Sequence, residues 1–352
     1  MADNANTRDR GAASLPARLR QALEPARDWI QSLPGLRKKG TPENQVGLAL
    51  LPQGVSLAAV KRVPGSAPIL TRCEFIPLPR QADPSVTLRN LTQQAGTQRT
   101  NFRLVLNPDE YQVHLVESPD VPASELREAI RWRVRDLIDF PVDEAAIDVF
   151  DMPQQAASSR ESTRMLNVVV SRTPLIAQKA ALVNRSGGEL EIIDIPDLVL
   201  RNLLSLTPAN RTGAALLYVE AGLSLILITS ESNLYLSRRV FIGQADLAVL
   251  STSDENSEEF RRGAGAIALE LLRSLEYYET HFARPPVETL YIAPVGVSGP
   301  ALHRHLGRSL GVNVQDLNLK DLLEFSGEMT AEQQARSLMA VGAALRQDRT
   351  TL

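Results

Sequence analysis

Residues 46–77, VGLALLPQGVSLAAVKRV…ILTRCEFIP, decide the architecture, because residues 216–243, LLYVEAGLSLILITSESNLYLSRRVFIG, state the same pattern again. In each, an aliphatic run meets a tight turn, then a second run, a loop and a third run. Each copy reads as a three-stranded meander. The first turn falls at Pro52-Gln53-Gly54 and the second at Glu220-Ala221-Gly222. Strands alternating with helical stretches follow both meanders, so the chain reads as a duplicated α/β protein whose two halves face each other across a cleft.

Downstream of the first meander, residues 101–107 and 113–117 read as strands. Residues 122–138 read as a helix with Pro122 in its first turn, Glu125 and Glu128 near its positive end, and a buried stripe of Leu126, Ile130, Val134, Leu137 and Ile138. The turn Asp139-Phe140-Pro141 stops it. Residues 146–152 and 165–171 are expected as strands around a glutamine- and serine-rich loop, 174–185 as a helix closed by Gly187-Gly188, 189–195 as a strand and 196–206 as a helix. After the second meander, TSDENSEE at 252–259 reads as a solvated acidic loop. Helices are expected at 263–282, 299–310 and 331–346, with a strand at 289–293. The expected organisation is a leader at 1–44, a first lobe at 45–207 carrying an inserted subdomain at about 107–186, and a second lobe at 208–352.

The 352 residues suffice for two lobes. A net charge of −3 and 5% aromatic residues argue against a nucleic-acid binder, which needs a basic field and stacking platforms. The single Cys73 excludes an internal disulfide framework and points to a reducing cytoplasm. No run is apolar enough to span a bilayer, since Glu220 interrupts the longest one. In the leader, Leu15, Leu19, Leu23, Ala26, Ile30 and Leu33 share a face, with Arg18, Arg20, Arg27, Arg37, Lys38 and Lys39 around it. Residues 15–39 therefore read as a peripheral contact with an anionic membrane, as a mobile leader, or as a helix packed on the protein itself; Pro25 breaks or kinks any single helix.

Side chains that carry chemistry are scattered. His303 and His305 stand two apart on an expected helix, where side chains diverge, and no Ser-His-Asp arrangement is traceable. Trp132 lies opposite the buried stripe of its helix, as a partner anchor or packed on Phe140. Arg127, Arg131 and Arg135 read as a solvated face paired with Glu128 or Asp136.

A duplicated meander followed by α/β units is the plan of actin-like nucleotide-binding folds. Within it, ELREAIRWRVRDLIDFPVDEAAIDVF at 125–150 resembles the signature of the PilM group of type IV pilus assembly proteins. IALELLRSLEYYETHFARPPVETLYIAPVG at 267–296, LHRHLGRSLGVNVQDLN at 302–318 and MAVGAALR at 339–346 extend the resemblance to most of residues 45–346. Its poor nucleotide motifs make it most similar to the MshI branch, which serves mannose-sensitive haemagglutinin pili. The resemblance implies an actin-like fold of two lobes with a small subdomain inserted in the first, and a non-catalytic cytoplasmic scaffold. It also implies a PilN-like bitopic inner-membrane partner whose N-terminal peptide lies in a groove beside the inserted subdomain. Leu126, Ile130, Trp132, Arg135, Phe140 and Pro141 are the implied groove or groove-supporting residues.

The alternative is a switch that binds Mg-ATP between the lobes. Its implied contacts are Gly47, Glu220, Gly222, Ser224 and Gly296, but the sequence departs from the pattern at each loop. Ala49 stands where the family has aspartate, Leu51 where it has glycine, and Pro294 interrupts the adenine loop. Glu220 either caps a strand-end amide or positions a metal or water. A kinase-like enzyme would need a catalytic aspartate after the first meander, and none is identifiable.

Overall fold

The computed structural model describes residues 44–79, 82–94, 101–122, 125–153, 164–220, 223–241, 250, 254–294 and 299–347. The first meander is β1 (Asn44–Leu51), β2 (Gly54–Lys61) and β3 (Ile69–Pro77), followed by α1 (Pro84–Gln94) and β4 (Asn101–Val105). A separate unit comprises β5 (Gln112–Glu117), α2 (Leu126–Val134), β6 (Ala145–Asp151) and β7 (Met165–Arg172). The chain then returns through α3 (Thr173–Arg185), β8 (Glu189–Asp194) and α4 (Pro196–Leu204). The second half runs β9 (Ala214–Glu220), β10 (Leu223–Ser230), β11 (Asn233–Val240), α5 (Glu258–Phe282), β12 (Thr289–Ile292), α6 (Pro300–Leu310), β13 (Asn313–Asp316), α7 (Leu319–Leu322) and α8 (Ala331–Ala344).

The duplication is visible in the strand order. One five-stranded sheet runs β3-β2-β1-β4-β8 and the other β11-β10-β9-β12-β13. In both, the meander is antiparallel and the two later strands add in parallel.

Strand alternation sorts each sheet into two apolar faces. On the first sheet Val46, Leu48, Leu57 and Phe102 face α1 and α3 through Leu88, Leu91 and Val183. Ala49, Ala58, Val60 and Val105 share a core with α4 and α8 instead. Leu216, Tyr218, Leu225 and Leu227 of the second sheet join that same core, while Leu217, Ile226 and Ile228 meet α5 and α6 through Ile267, Leu271, Leu302 and Leu306. Helices α4 and α8 thus form a central layer between two sheets.

Helix α8 approaches the first sheet at backbone distance. A Cβ on Gly47 would stand 1.8 Å from the Ala340 carbonyl oxygen, so only glycine fits there. On the other side of α8, a Cβ on Gly342 would stand 2.6 Å from the Val199 carbonyl oxygen, and Asn202 Nδ2 donates to the Gly342 carbonyl at 3.0 Å. Small residues at Ala340, Ala343 and Ala344 make the approach possible. A capping box between Thr330 and Gln333 closes the start of α8. Its other end leaves carbonyls with no intrahelical partner, and arginines from the first sheet satisfy them. Arg103 Nη1 donates to the carbonyls of Arg346 (2.6 Å) and Ala344 (3.3 Å), and Arg62 Nη2 to that of Leu345 (2.5 Å). Arg346 itself pairs with the buried Asp194 at 3.0 Å.

Two expected helices need correction. The helix expected from residue 263 begins at Glu258, because Ser257 Oγ accepts from the Phe260 amide and Glu258 and Glu259 stand at the positive end; the tail of the acidic run is helix rather than loop. The helix expected over 122–138 spans only Leu126–Val134: the Leu137 amide turns back to the Val134 carbonyl at 2.9 Å, and Leu137 leaves the core, 49% exposed. Helix α1, strand β13 and the short α7 were not read from the sequence. The leader 1–43 and the loop 154–163 lie outside the described residues.

Replacing Arg103 by methionine keeps the bulk but strips buried carbonyls of their donor. Chemical denaturation of Arg103→Met is expected to lose about 3–5 kcal/mol, the scale of breaking a buried charged contact from one side. A loss under about 1 kcal/mol, typical of a surface residue, is the opposing outcome.

Candidate functional site

The unit between β4 and β8 is a three-stranded antiparallel sheet in the order β5-β7-β6. Helix α2 covers one face of it, packing Leu126, Ile130 and Val134 against Val116, Leu166, Val168, Val170 and Ala145. Across the opposite face the register aligns Val113, Val169 and Asp148 in one row and Leu115, Asn167 and Phe150 in the next. Val113, Val169 and Phe150 pack toward Leu106, Tyr111, Ile195 and Leu198 of the first half, and Met152 reaches the core of the second. The sheet therefore rests on the rest of the molecule through residues of all three of its strands. Among the described residues β5 pairs only with β7 and is an edge strand, and Leu115 is 44% exposed. An edge strand with an apolar side chain beside it is a template for an extended chain.

The base of this sheet is tied on both sides. The Glu110 carboxylate meets Lys179 Nζ of α3 at 2.6 Å and accepts from the Asn107 amide at 2.8 Å, while its carbonyl accepts from Ser171 Oγ of β7 at 2.7 Å. At the same end of the sheet, Arg131 donates to the carbonyls of Val142 (2.6 Å) and Ala145 (3.2 Å), which pins the turn after α2 to β6. The solvated face expected for Arg131 is thus corrected: its guanidinium works as a structural clamp. Asp139 accepts from Gln112 Nε2 at 3.1 Å, and the Arg172 guanidinium lies 4.2 Å from the Phe140 ring centroid, so this turn is also fixed to β5 and β7. Half-buried His114, beside Gln112, is held below the usual imidazole pKa by burial.

The six residues implied for the groove separate into three groups. Leu126 and Ile130 are buried beneath the sheet and can only support it. Phe140 is half-buried and Pro141 exposed, both in the anchored turn. Trp132 is 60% exposed on the outer side of α2, with the Arg135 guanidinium 4.9 Å from its ring and Arg135 in turn beside Asp136 at 3.2 Å. Trp132 and Arg135 thus lie on the side of α2 turned away from the sheet. Sequence reasoning missed Leu115 and Phe150. The signal was present in QVHLVE, where Val113 and Leu115 alternate on one face of the strand.

The positions implied for a nucleotide can be tested against its phosphate chemistry. The β1–β2 hairpin pairs Leu51 with Gly54 and leaves a two-residue turn, Pro52-Gln53, in which Pro52 has no amide to donate. Gly54 is glycine because a Cβ would meet the Ile76 carbonyl oxygen at 2.2 Å, and Gly47 because of α8. Ala49, at the position where the resemblance implies an aspartate, is buried in the central core. The described part of the first loop does not fit a phosphate. Ser224 is fully buried and, by strand alternation, shares the face of Ile226 and Ile228 toward α5 and α6. The backbone of Glu220 ends β9 opposite Leu223, while Gly222 and Gly296 lie outside the described residues. Among the described residues, no group of His, Cys, Asp or Glu is arranged to hold a metal ion.

Among solved structures, the chain is similar to a PilM–PilN type IV pilus biogenesis complex, with TM-score 0.63 and 18% identity over 86% of this chain and 98% of that one. The fold is actin-like. Weaker similarity, TM-score 0.44 in both cases, extends to two further structures. One is the cytoplasmic domain of EpsL, an inner membrane component of the type II secretion system of Vibrio cholerae (11% identity, 87% of this chain and 96% of that one). The other is a Bacteroides thetaiotaomicron protein with an actin-like ATPase fold (8% identity, 78% and 90%). No family model and no curated protein matches the sequence. Among the described residues no helix is long and apolar enough to cross a membrane.

The two sides of α2 predict opposite mutational behaviour. Ile130→Ala opens a cavity under the sheet and is expected to cost about 2–5 kcal/mol in denaturant unfolding. Trp132→Ala, losing an exposed ring and one stacked arginine, is expected to cost less than about 1 kcal/mol.

Proposed function

We propose that this chain is a non-catalytic scaffold of a type IV pilus assembly machine. It works in the cytoplasm at the inner membrane and captures the N-terminal cytoplasmic tail of a PilN-like bitopic protein. The observation that carries this reading is the β5 edge, unpaired among the described residues, with half-exposed Leu115 beside it on the face turned toward the lobes. An extended apolar peptide gains backbone hydrogen bonds along such an edge and seats alternate side chains on the face beside Leu115 and Val113. Leu126 and Ile130 support that face from beneath the sheet, and Phe140, followed by Pro141 in the anchored turn, packs in the same cluster. Similarity of fold to a PilM–PilN complex supports the choice of partner. The quoted motifs and the poor nucleotide loops favour the MshI branch, of mannose-sensitive haemagglutinin pili. The division into a first lobe at 45–207, with the subdomain inserted, and a second from 208 follows the same reading, as does a peripheral membrane contact through residues 15–39.

Pro52 and Ala49 weigh against the nucleotide-switch alternative, since they remove a backbone donor and a carboxylate from one phosphate loop. Calorimetry separates the two. The test titrates the full chain with a synthetic N-terminal tail peptide of the single-pass pilus protein from the same genome, and separately with Mg-ATP. Heat is expected with the peptide and none with Mg-ATP. Leu115→Glu is expected to weaken the peptide about tenfold or more at unchanged stability, the scale of losing one apolar anchor. Heat with Mg-ATP, coupled to peptide affinity, would establish the switch instead.

A further inference from the structure

Tyr111 precedes β5 directly, yet it is fully buried and its contacts reach both halves of the molecule. Its hydroxyl donates to Asp197 Oδ2 at 2.5 Å. Asp197 lies in the first turn of α4, after Pro196, where the positive end of the helix favours a carboxylate. The second oxygen of the same carboxylate accepts from Ser237 Oγ on β11, in the second half. Two residues further along β11, Arg239 sets its guanidinium 4.8 Å from the Tyr111 ring centroid and donates to the Tyr111 carbonyl at 3.4 Å. Burial and the Asp197 charge push the Tyr111 phenol well above its ordinary pKa, so it remains a donor at neutral pH. One buried carboxylate therefore holds two hydroxyls from different parts of the fold, and one arginine grips the same tyrosine on its face and its backbone.

Nothing in the packing of the small sheet alone calls for this. Glu110, Lys179 and Ser171 already fix the base of that sheet to the first half. The Tyr111 cluster adds a tie to β11, an edge strand of the other five-stranded sheet. We infer that Tyr111, Asp197, Ser237 and Arg239 form a positioning latch that sets the angle of the small sheet against the second half, and so the opening along the β5 edge. As a device for docking it rests on the function proposed above; as a tie between two halves it stands on the contacts themselves.

The test uses the full chain with Tyr111→Phe and, separately, Ser237→Ala, each of which removes one hydroxyl and leaves the apolar contacts. Ser237, at the surface, also serves if the tyrosine variant folds poorly. Hydrogen exchange is followed at residues 112–117 and in β9 and β10, and calorimetry measures the tail peptide. Both variants are expected to speed exchange at 112–117 about tenfold, as one hydrogen bond to a charged acceptor is lost, with β9 and β10 unchanged. Peptide affinity falls with it. Unchanged exchange at 112–117 in both variants overturns the latch, and so does an equal rise in β9 and β10, which marks general loosening. Faster local exchange with unaltered peptide affinity also overturns its role in docking. If the unaltered chain binds no tail while local exchange still rises, the latch stands as an interlobe tie and the docking function falls.

Discussion

The molecule depends on one close approach: the backbone of α8 lies against β1 at Gly47 with no side chain between them. From that contact the central layer follows. Helix α8 can touch the first sheet and α4 together only if small residues line both sides, and Ala49, Ala58, Ala340, Gly342 and Ala344 do so. Such contact brings the helix C-terminus over the sheet and away from water. Its last carbonyls then need donors, and Arg103 of β4 and Arg62, just beyond β2, supply them. A long, always charged donor fork suits this task better than lysine, because one guanidinium reaches several acceptors in fixed directions.

Both halves share a strand order but have diverged in use. In the first half the hairpin glycines answer to neighbouring protein backbone, Gly47 to α8 and Gly54 to β3. Side chains and a proline occupy the positions from which a phosphate loop would offer amides. The small sheet between β4 and β8 has no counterpart among the described residues of the second half. Its two faces are divided: α2 covers one, and the other makes the contacts to the lobes, with an edge at β5 that is unpaired among the described residues.

Much of this was legible in the chain. The repeated meander and the apolar strands announced the duplicated α/β plan, because period-two burial and short turns leave few alternatives; the full sheet order, with the unread β13 at one edge, did not follow from them. Trp132 was correctly read as lying off the buried stripe, since helical spacing alone opposes it to Leu126 and Ile130. Where local pattern misled, a tertiary contact had decided the matter. Leu137 fits the helical period yet sits beyond the end of α2, and Arg131 looks like one of a surface row until Val142 and Ala145 turn their carbonyls toward it. The Tyr111 cluster was invisible for a simpler reason: its members lie far apart along the chain, and nothing about a lone tyrosine, serine or aspartate announces a shared partner.

The central placement of α8 also governs how the protein is made. Residues that complete the core of the first sheet come from 331–344, so that sheet emerges from the ribosome with Ala49, Ala58 and Val60 uncovered while the whole second half is still being synthesised. Pairings of such long sequence separation slow folding and leave apolar surface open to wrong neighbours in the meantime. A nascent first half of this kind is a natural client for chaperones until its distant helix arrives.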